Sequence, residues 1–369
     1  MRGNASPGTT RRVRAALGAA AAVCAVTAVV LPGAASAEPG AVAGDGGAGV
    51  ERISVAADGT EADGGSGGAS ITPDGRHVVF TSSARNLTAD SATGSDQVFV
   101  RDRRAGTNAR MGSLSPLQPP VISGDGAYAA YQVRWFNDIR IRRFQVSTGA
   151  TASVNCLPGC SQPSLSTDGR HTAYAVLLAQ PSRTQRIEVL DWRTNTVTTV
   201  AALGHSLPSQ PSVSGDGRYV AYQDGQAEDV LVWDRTDGTT SGPVEGPDEQ
   251  AALVQLSDDG GKVVYLSGSD TYVRDLRSGT VQQVPDARGV AIDPTGRHLL
   301  YAPNDTSGPS LTLRDLRTGS DETVSDRPAS AGRGAVSAGG RDVVFRSTAD
   351  DIVPGDTNGE PDVFVRRFY

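Results

Sequence analysis

The chain has 369 residues, and its 41 acidic against 34 basic residues give it a formal net charge of −7. Lys262 is the only lysine, and the arginines are spread along the chain instead of forming one basic stripe. Because a nucleic-acid-binding surface needs such a stripe to neutralise phosphates, this composition excludes nucleic acid as an expected partner.

The first 37 residues have the pattern of a secretory signal peptide. Four arginines lie between residues 2 and 14, an apolar stretch follows at 15–31, and Ala35-Ser36-Ala37 forms a small-residue cleavage site. We therefore expect a secreted, extracytoplasmic protein that is cleaved near Ala37, and the pair Arg11-Arg12 leaves the general and the twin-arginine export routes both open. No later apolar run approaches the roughly 18 residues that a membrane-spanning helix needs, so no integral membrane segment is expected in the mature chain.

A short leader follows the predicted cleavage site. Residues 38–49 are rich in Gly and Ala and contain little apolar surface, so they are expected to form a flexible segment. The folded part is then expected over residues 50–369.

Seven copies of one phrase occupy this folded part. Each copy has a short apolar strand, a turn with glycine and a second strand that ends in Phe or Tyr, as in Val213-Ser-Gly-Asp-Gly-Arg-Tyr-Val-Ala-Tyr222. The turn glycines are Gly75, Gly126, Gly169, Gly217, Gly260, Gly296 and Gly340. Their spacing drifts around roughly 40 to 50 residues, which is typical of the blades of a β-propeller.

Each copy continues into two further predicted strands. Blade four, for example, has a third strand at 230–234 and then a hairpin turn at Asp237-Gly238, where glycine supplies the positive φ that a tight turn needs. No segment shows helical periodicity with caps. The sequence therefore predicts an all-β, seven-bladed propeller of four-stranded antiparallel blades.

The two ends of the folded part predict how the ring closes. The seventh copy ends after its third strand at 363–366, and the orphan strand at 51–55 resembles the fourth strands of other copies. We expect this N-terminal strand to complete the last blade, which would remove an exposed strand edge.

The phrase Ser-x-Asp-Gly-Arg-x-Val-Ala-Tyr, followed by an extended x-Val-x-Asp and by Thr-Gly, resembles the WD40-like, PD40-type propeller repeat of the TolB family. The resemblance covers essentially all of residues 50–369. It implies an exported protein that binds peptides or protein partners on one face of the propeller.

Two cysteines follow the predicted signal peptide, at Cys156 and Cys160. In an exported protein, a pair this close predicts a local disulfide. The alternative, half of a zinc site, lacks partners because no second cysteine pair and no nearby histidine exist in the sequence.

The loops between the second and third strands are the candidate partner-binding surface. Those of blades one and seven, at 83–97 and 348–362, are long, resemble one another and should lie side by side in a closed ring. The candidate contact residues in them are Arg85, Asn86, Asp350 and Asp351. Blade two adds Trp135 and Phe136, which predict either an exposed binding hot spot or two rings folded over the blade as local core.

The loop of blade seven also contains a candidate calcium site. Asp356, Asn358, Glu360 and Asp362 place oxygen-bearing side chains at alternate positions around Gly359. Such ligands suit calcium, and the alternative is an ordinary turn rich in Asp and Asn. Calcium is the one candidate cofactor, and no cofactor is required.

No catalytic residue is predicted. The stretch Gly64–Gly68 fits Gly-x-Ser-x-Gly without the strand-to-helix elbow of a hydrolase, and His77, His171 and His298 share one repeat position instead of forming a triad. We therefore expect a non-catalytic binding protein for a protein, peptide or cell-envelope ligand. The alternative is a lyase- or hydrolase-type enzyme that acts on a polysaccharide or small molecule at the central channel, as in some families with similar repeats.

Overall fold

The computed structural model describes residues 49–369, apart from 92–94, 155, 157–158, 178–184, 201–206, 226 and 247–248. The predicted signal peptide and the predicted leader, except for Gly49, lie outside the described residues. The described residues belong to one unit, Gly44–Tyr369, and form strands, turns and one 3₁₀ turn at Ala338–Gly340. None of the described segments is a helix long and apolar enough to cross a membrane.

The described strands form seven blades of four, which we number in chain order. Strand β1 (Gly49–Arg52) belongs to blade seven. Blade one consists of β2 (Ser66–Ile71), β3 (His77–Ser82), β4 (Gln97–Asp102) and β5 (Thr107–Arg110). Blade two consists of β6 (Val121–Ile122), β7 (Tyr128–Trp135), β8 (Asp138–Gln145) and β9 (Thr151–Val154). Blade three consists of β10 (Gly159–Leu165), β11 (His171–Leu177), β12 (Gln185–Asp191) and β13 (Thr196–Val200). Blade four consists of β14 (Pro208–Val213), β15 (Tyr219–Asp224), β16 (Asp229–Asp234) and β17 (Thr239–Ser241). Blade five consists of β18 (Ala252–Leu256), β19 (Lys262–Ser267), β20 (Asp270–Asp275) and β21 (Val281–Val284). Blade six consists of β22 (Ala287–Ile292), β23 (His298–Pro303), β24 (Leu311–Asp315) and β25 (Asp321–Ser325). Blade seven has β26 (Ala329–Ser330), β27 (Asp342–Ser347) and β28 (Asp362–Arg367), and β1 is its fourth strand.

The second strand of each blade places one large aromatic side chain in the core, as the repeat predicts. All seven are buried: Phe80, Tyr131, Tyr174, Tyr222, Tyr265, Tyr301 and Phe345. They fill the space between neighbouring blades, and Tyr222 of blade four, for example, packs with Ala173 and Ile187 of blade three. Burial of such large rings explains why this position of the repeat is restricted to Phe and Tyr.

The side chain that follows each glycine turn touches the glycine turn of the next blade. His171 of blade three lies so close to Gly217 of blade four that a Cβ at this glycine would collide with the imidazole. The remaining pairs are His77 with Gly126, Tyr128 with Gly169, Tyr219 with Gly260, Lys262 with Gly296, His298 with Gly340, and Asp342 with Gly75. These seven contacts form a complete ring, so the three histidines hold adjacent blades together, and their shared repeat position has a structural cause.

The N-terminal strand closes the ring, as predicted. Strand β1 pairs antiparallel with β28, from Gly49 opposite Arg367 to Arg52 opposite Phe364. Blade one is tied to this closure because Arg103 forms ion pairs with Glu51 at 2.9 Å and with Asp342 at 3.0 Å. The two ends of the described chain therefore share one blade.

The antiparallel order gives the propeller two different faces. The turns between first and second strands, and those between third and fourth strands, lie on what we call the turn face. The connections between second and third strands, and those that lead to the next blade, lie on the opposite loop face. The hairpin of blade two extends further at the loop face, because β7 and β8 have eight residues each, against six in β3 and β4 of blade one.

Candidate functional site

A cavity of about 520 Å³ lies at the centre of the ring and is lined by residues of all seven blades. Towards the loop face its wall contains the pairs Gln118-Pro119, Gln162-Pro163 and Gln210-Pro211, followed by Gln255 in blade five. Amide side chains both donate and accept hydrogen bonds, and proline rings add apolar surface. This wall suits an extended ligand with many polar groups.

The backbone is left-handed at three equivalent points of this wall. Gln162 and Gln210 have φ angles of 56° and 54°, at the repeat position where blade one has Gly68 with a φ of 55°. The strand pairing shifts its register at each of these points. Such a conformation costs about 1–2 kcal/mol in a residue with a Cβ, and strained residues of this kind cluster at binding and active sites.

Arg333 of blade seven reaches across the mouth of the cavity to blades four and five. Its Nη1 donates to the carbonyl oxygen of Gln210 at 3.1 Å, and its Nη2 donates to Gln210 Oε1 and to the carbonyl oxygen of Leu253, both at 3.0 Å. These acceptors are neutral, and no carboxylate among the described residues pairs with this guanidinium. Burial lowers the pKa of Arg333 to about 10, so the group stays charged at neutral pH. The loop-face mouth therefore contains a guanidinium charge that its own hydrogen-bond acceptors do not neutralise.

Towards the turn face the blades are joined by backbone hydrogen bonds around the channel. The Thr167 N–H donates to the Gly215 carbonyl at 2.9 Å, and the Gly215 N–H donates to the Asp258 carbonyl at 2.7 Å. The Asp258 carboxylate lines the cavity near this end, and desolvation together with the charges of Asp259 and Asp293 raises its pKa to about 6. The channel thus has a cation at its loop-face mouth and one acid near its turn-face end.

A second cavity of about 400 Å³ adjoins the mouth between blades one, two and seven. Arg346 lies in both cavities, and its Nε donates to the Ser66 carbonyl at 3.3 Å. Residues 65–68 line this second cavity, and a Cβ at Gly67 would lie 2.7 Å from Arg346 Cδ. The glycines thus leave room for Arg346, and the resemblance of this run to a hydrolase motif has no structural counterpart.

The predicted contact residues of blades one and seven lie on the loop face, beside this second cavity. Asn86 donates to the Glu61 carbonyl at 2.7 Å, and the Arg85 side chain is exposed. Asp350 is also exposed, and Asp351 pairs with Arg327 at 2.6 Å. The two loops meet through the segment that follows β1, because Asn358 donates to the Ala62 carbonyl at 2.7 Å. Their role in partner binding stays a prediction.

The predicted calcium ligands separate into two groups. Asp356 and Asp362 lie together with Glu61, and ligand atoms of these three carboxylates are all within 4.8 Å of one another. Glu61 comes from the segment after β1, and the sequence analysis missed it because it is distant in the chain. Asn358 is engaged elsewhere, since its Oδ1 accepts from the Glu360 N–H at 2.6 Å, and Glu360 is exposed and lies outside the carboxylate group.

An arginine already supplies positive charge to the three carboxylates. The guanidinium of Arg52 lies 2.6 Å from Glu61, 3.6 Å from Asp356 and 3.5 Å from Asp362. A calcium ion would have to displace this guanidinium, so the residues do not form a ready oxygen cage. Calcium binding therefore stays a prediction, and calorimetry on the wild type and on Asp356→Ala tests it.

The tip of the blade-two hairpin is exposed and aromatic. Phe136 is 84% exposed and has a φ of 52°, and its ring contacts that of Trp135 edge-on at 5.4 Å. Phe136 therefore projects from the loop face and is not folded over the blade. The predicted disulfide between Cys156 and Cys160 is present and lies beside this hairpin near its tip, where Gly159 pairs with Ile139.

Sequence reasoning missed the residues that line the channel mouth. The recurrence of Gln-Pro was a visible signal, because Gln162 and Gln210 hold the same repeat position in blades three and four, and Gln118 of blade two stands one position earlier. Arg333 had no such signal, since its partners are 123 and 80 residues away in sequence. Within the described part of the channel wall, the side chains can hydrogen-bond and attract anions, and Asp258 is the only acid among them.

Comparison with known proteins supports the fold. No family model matches the chain, and no curated protein matches it. Among solved structures, an oligogalacturonate lyase from Vibrio parahaemolyticus matches with a TM-score of 0.63 and 12% identity, over 86% of this chain and 93% of the lyase. An oligogalacturonate lyase in complex with manganese matches with a TM-score of 0.61 and 14% identity, over 88% and 94%.

The fold is a β-propeller. TolB from Acinetobacter baumannii matches only 59% of this chain and 53% of its own, with a TM-score of 0.43 and 18% identity, which is too partial to support an argument. At these identities the matches establish architecture alone, so the propeller part of the predicted resemblance is confirmed and the PD40-type family stays a prediction.

Proposed function

We propose that this propeller is an exported, non-catalytic binding protein that holds a polar segment of a protein, peptide or cell-envelope polymer at the loop-face mouth of its channel. The observation that carries the proposal is Arg333, a charged guanidinium held across the mouth by neutral acceptors. A ligand with a carboxylate would add the negative charge that the Arg333 guanidinium lacks among its described partners.

The strained glutamines support the same site. Both side chains are held in place, because Gln162 Oε1 accepts from the Gln210 N–H at 2.7 Å and Gln210 Oε1 accepts from Arg333 Nη2 at 3.0 Å. Side chains that are held before the ligand arrives lose less conformational entropy on binding. The wall therefore combines a fixed polar surface with the apolar rings of adjacent prolines.

The alternative is an enzyme with its active site in the same channel. Because the similar solved structures are oligogalacturonate lyases, the specific reaction to consider is elimination from a uronic acid. Elimination from a uronic acid would need a base near the sugar carbon that loses its proton. The only acid in the described channel wall is Asp258, whose pKa of about 6 would leave it mostly ionised at neutral pH. We favour binding because Asp258 lies near the turn-face end, away from Arg333.

The proposal is tested by screening the mature protein against arrays of acidic and neutral peptides and envelope glycans, followed by calorimetry on each hit. We expect Arg333→Met to weaken binding by roughly tenfold to a hundredfold, because a charge-assisted hydrogen bond contributes about 1.5–3 kcal/mol. Arg277→Met, which removes an exposed arginine at the turn face, is the matched control and should bind as the wild type does. Equal affinities for all three proteins would contradict the proposal.

The enzyme alternative has its own test. Oligogalacturonate would be incubated with the protein, with and without manganese, while the absorbance of unsaturated product is followed. Turnover that disappears in Asp258→Asn would replace the binding proposal by the enzymatic one.

A further inference from the structure

The loop face of blades two, three and four gathers exposed apolar side chains. The exposed large apolar residues at this rim are Leu117 and Phe136 of blade two, Leu177 of blade three and Leu207 of blade four. Leu177 ends a second strand, and Leu117 and Leu207 stand just before first strands, so the chain order puts all three on the loop face. We call these four residues the apolar rim.

Phe136 is the most exposed member of the apolar rim, and its backbone conformation is unfavourable for a bulky side chain. It is one of two residues that join β7 to β8, since Trp135 pairs with Asp138 across the hairpin. Its left-handed φ of 52° is a position where glycine or asparagine is usual and a bulky ring costs free energy. A large apolar side chain at this exposed and strained point therefore indicates a role outside the fold.

The surroundings of Phe136 are basic, although the chain as a whole is acidic. Arg134, Arg140 and Arg142 lie on the same hairpin, and the Arg142 guanidinium lies 5.0 Å from the Trp135 ring centre. The nearby acid Asp138 is paired with Arg140 at 2.9 Å, and Asp96 lies across the second cavity near Leu117. An exposed phenyl ring beside a half-buried indole, with arginines behind them, matches the chemistry of an anionic bilayer surface, where rings enter the headgroup region and cations meet lipid phosphates.

The hairpin is braced in a way that suits insertion as a unit. Gly159 pairs with Ile139 of the hairpin and with Leu177 of the apolar rim, and it stands next to the disulfide-bonded Cys160. Through Gly159, strand β10 of blade three thus contacts the hairpin near its aromatic tip.

We propose that the blade-two hairpin and the apolar rim dock this protein peripherally on an anionic lipid surface, with Phe136 and Trp135 in the headgroup region. This inference goes beyond the binding site at the channel mouth, because it concerns a different surface. It orients the loop face, and with it the channel mouth, towards the membrane.

Flotation with vesicles tests the proposal, using phosphatidylcholine mixed with phosphatidylglycerol and, separately, phosphatidylcholine alone. We expect the wild type to bind the mixed vesicles and to lose binding as salt is added, because the lipid charge is screened. Phe136→Ser should weaken binding by roughly tenfold or more, and Arg134→Gln and Arg142→Gln by about fivefold each. Val281→Ser, an exposed valine on an outer strand of blade five, is the matched control and should bind as the wild type does.

A second readout reports depth directly. Brominated lipids should quench tryptophan fluorescence in the wild type, whereas Trp135→Phe should still bind and lose this quenching. Phe136→Ser should bind a peptide or glycan hit at the channel mouth as the wild type does, so failure of the channel-mouth proposal and failure of this one are distinguishable. Absence of wild-type binding to mixed vesicles, or equal binding by Phe136→Ser and Val281→Ser, would overturn the proposal. So would a protein partner captured through the hairpin without any vesicle binding.

Discussion

At the scale of single residues, burial decides how the carboxylate cluster responds to pH. Asp362 is fully buried, and desolvation raises its pKa to about 6 against an ordinary value of 3.8, even though Ser54 and Arg52 favour its ionised form. The folded state therefore takes up a proton more readily than the unfolded chain does. By linkage, the contribution of Asp362 to the free energy of unfolding rises as the pH falls from above 6 towards 4.

Asp362→Asn isolates this effect, because asparagine cannot ionise. We expect the variant to gain stability relative to the wild type at pH 8 and to lose that advantage near pH 5. Melting temperatures of both proteins across this range measure the difference, with Asp350→Asn as an exposed control. A difference in melting temperature between Asp362→Asn and the wild type that does not change with pH would contradict the raised pKa of Asp362.

At the scale of elements, two separate constraints favour glycine in the turns: a positive φ and, at some turns, close contact with a neighbouring blade. Gly217 and Gly238 have φ angles of 71° and 72°, but only Gly217 faces a neighbouring blade, through His171. We expect Gly238→Ala to lower the free energy of unfolding by about 1 kcal/mol through strain alone. Gly217→Ala should cost about 3 kcal/mol because overpacking adds to the strain. Denaturant titration measures both, and equal losses would contradict the role of these contacts between blades.

The closing strand gives a second prediction at this scale. Deletion of residues 50–56 removes most of β1 and leaves β28 as an open edge, with Asp362 buried and without Arg52. We expect a melting temperature lower by at least several degrees, since the loss should amount to several kcal/mol. A deletion of equal length within residues 38–48 is the control, and an unchanged melting temperature in the first variant would contradict the closure.

The sequence predicts these elements well for a physical reason. A blade is a local unit whose strands and turns are consecutive, so the repeat that encodes it is readable in one dimension. The channel mouth is different, because Arg333 and its acceptors in Gln210 and Leu253 come from three blades. The same holds for the carboxylate cluster, where Glu61 joins Asp356 and Asp362 only after the ring has closed.

At the scale of the whole molecule, the two faces are chemically distinct. The turn face carries the repeated contacts between blades and the backbone hydrogen bonds around the channel, which stabilise the ring. The loop face carries the features that depart from the repeat: Arg333, the strained glutamines, the second cavity and the exposed Phe136. We infer that the turn face stabilises the ring and that the loop face binds ligands.

Hydrogen exchange with and without a bound ligand tests this assignment most directly. With a peptide or glycan hit from the arrays, we predict slower exchange at the loop-face ends of the first strands, around residues 117–119, 209–212 and 331–334, and unchanged exchange in the glycine turns. Protection confined to the turn face, or absent from the channel mouth, would contradict the account.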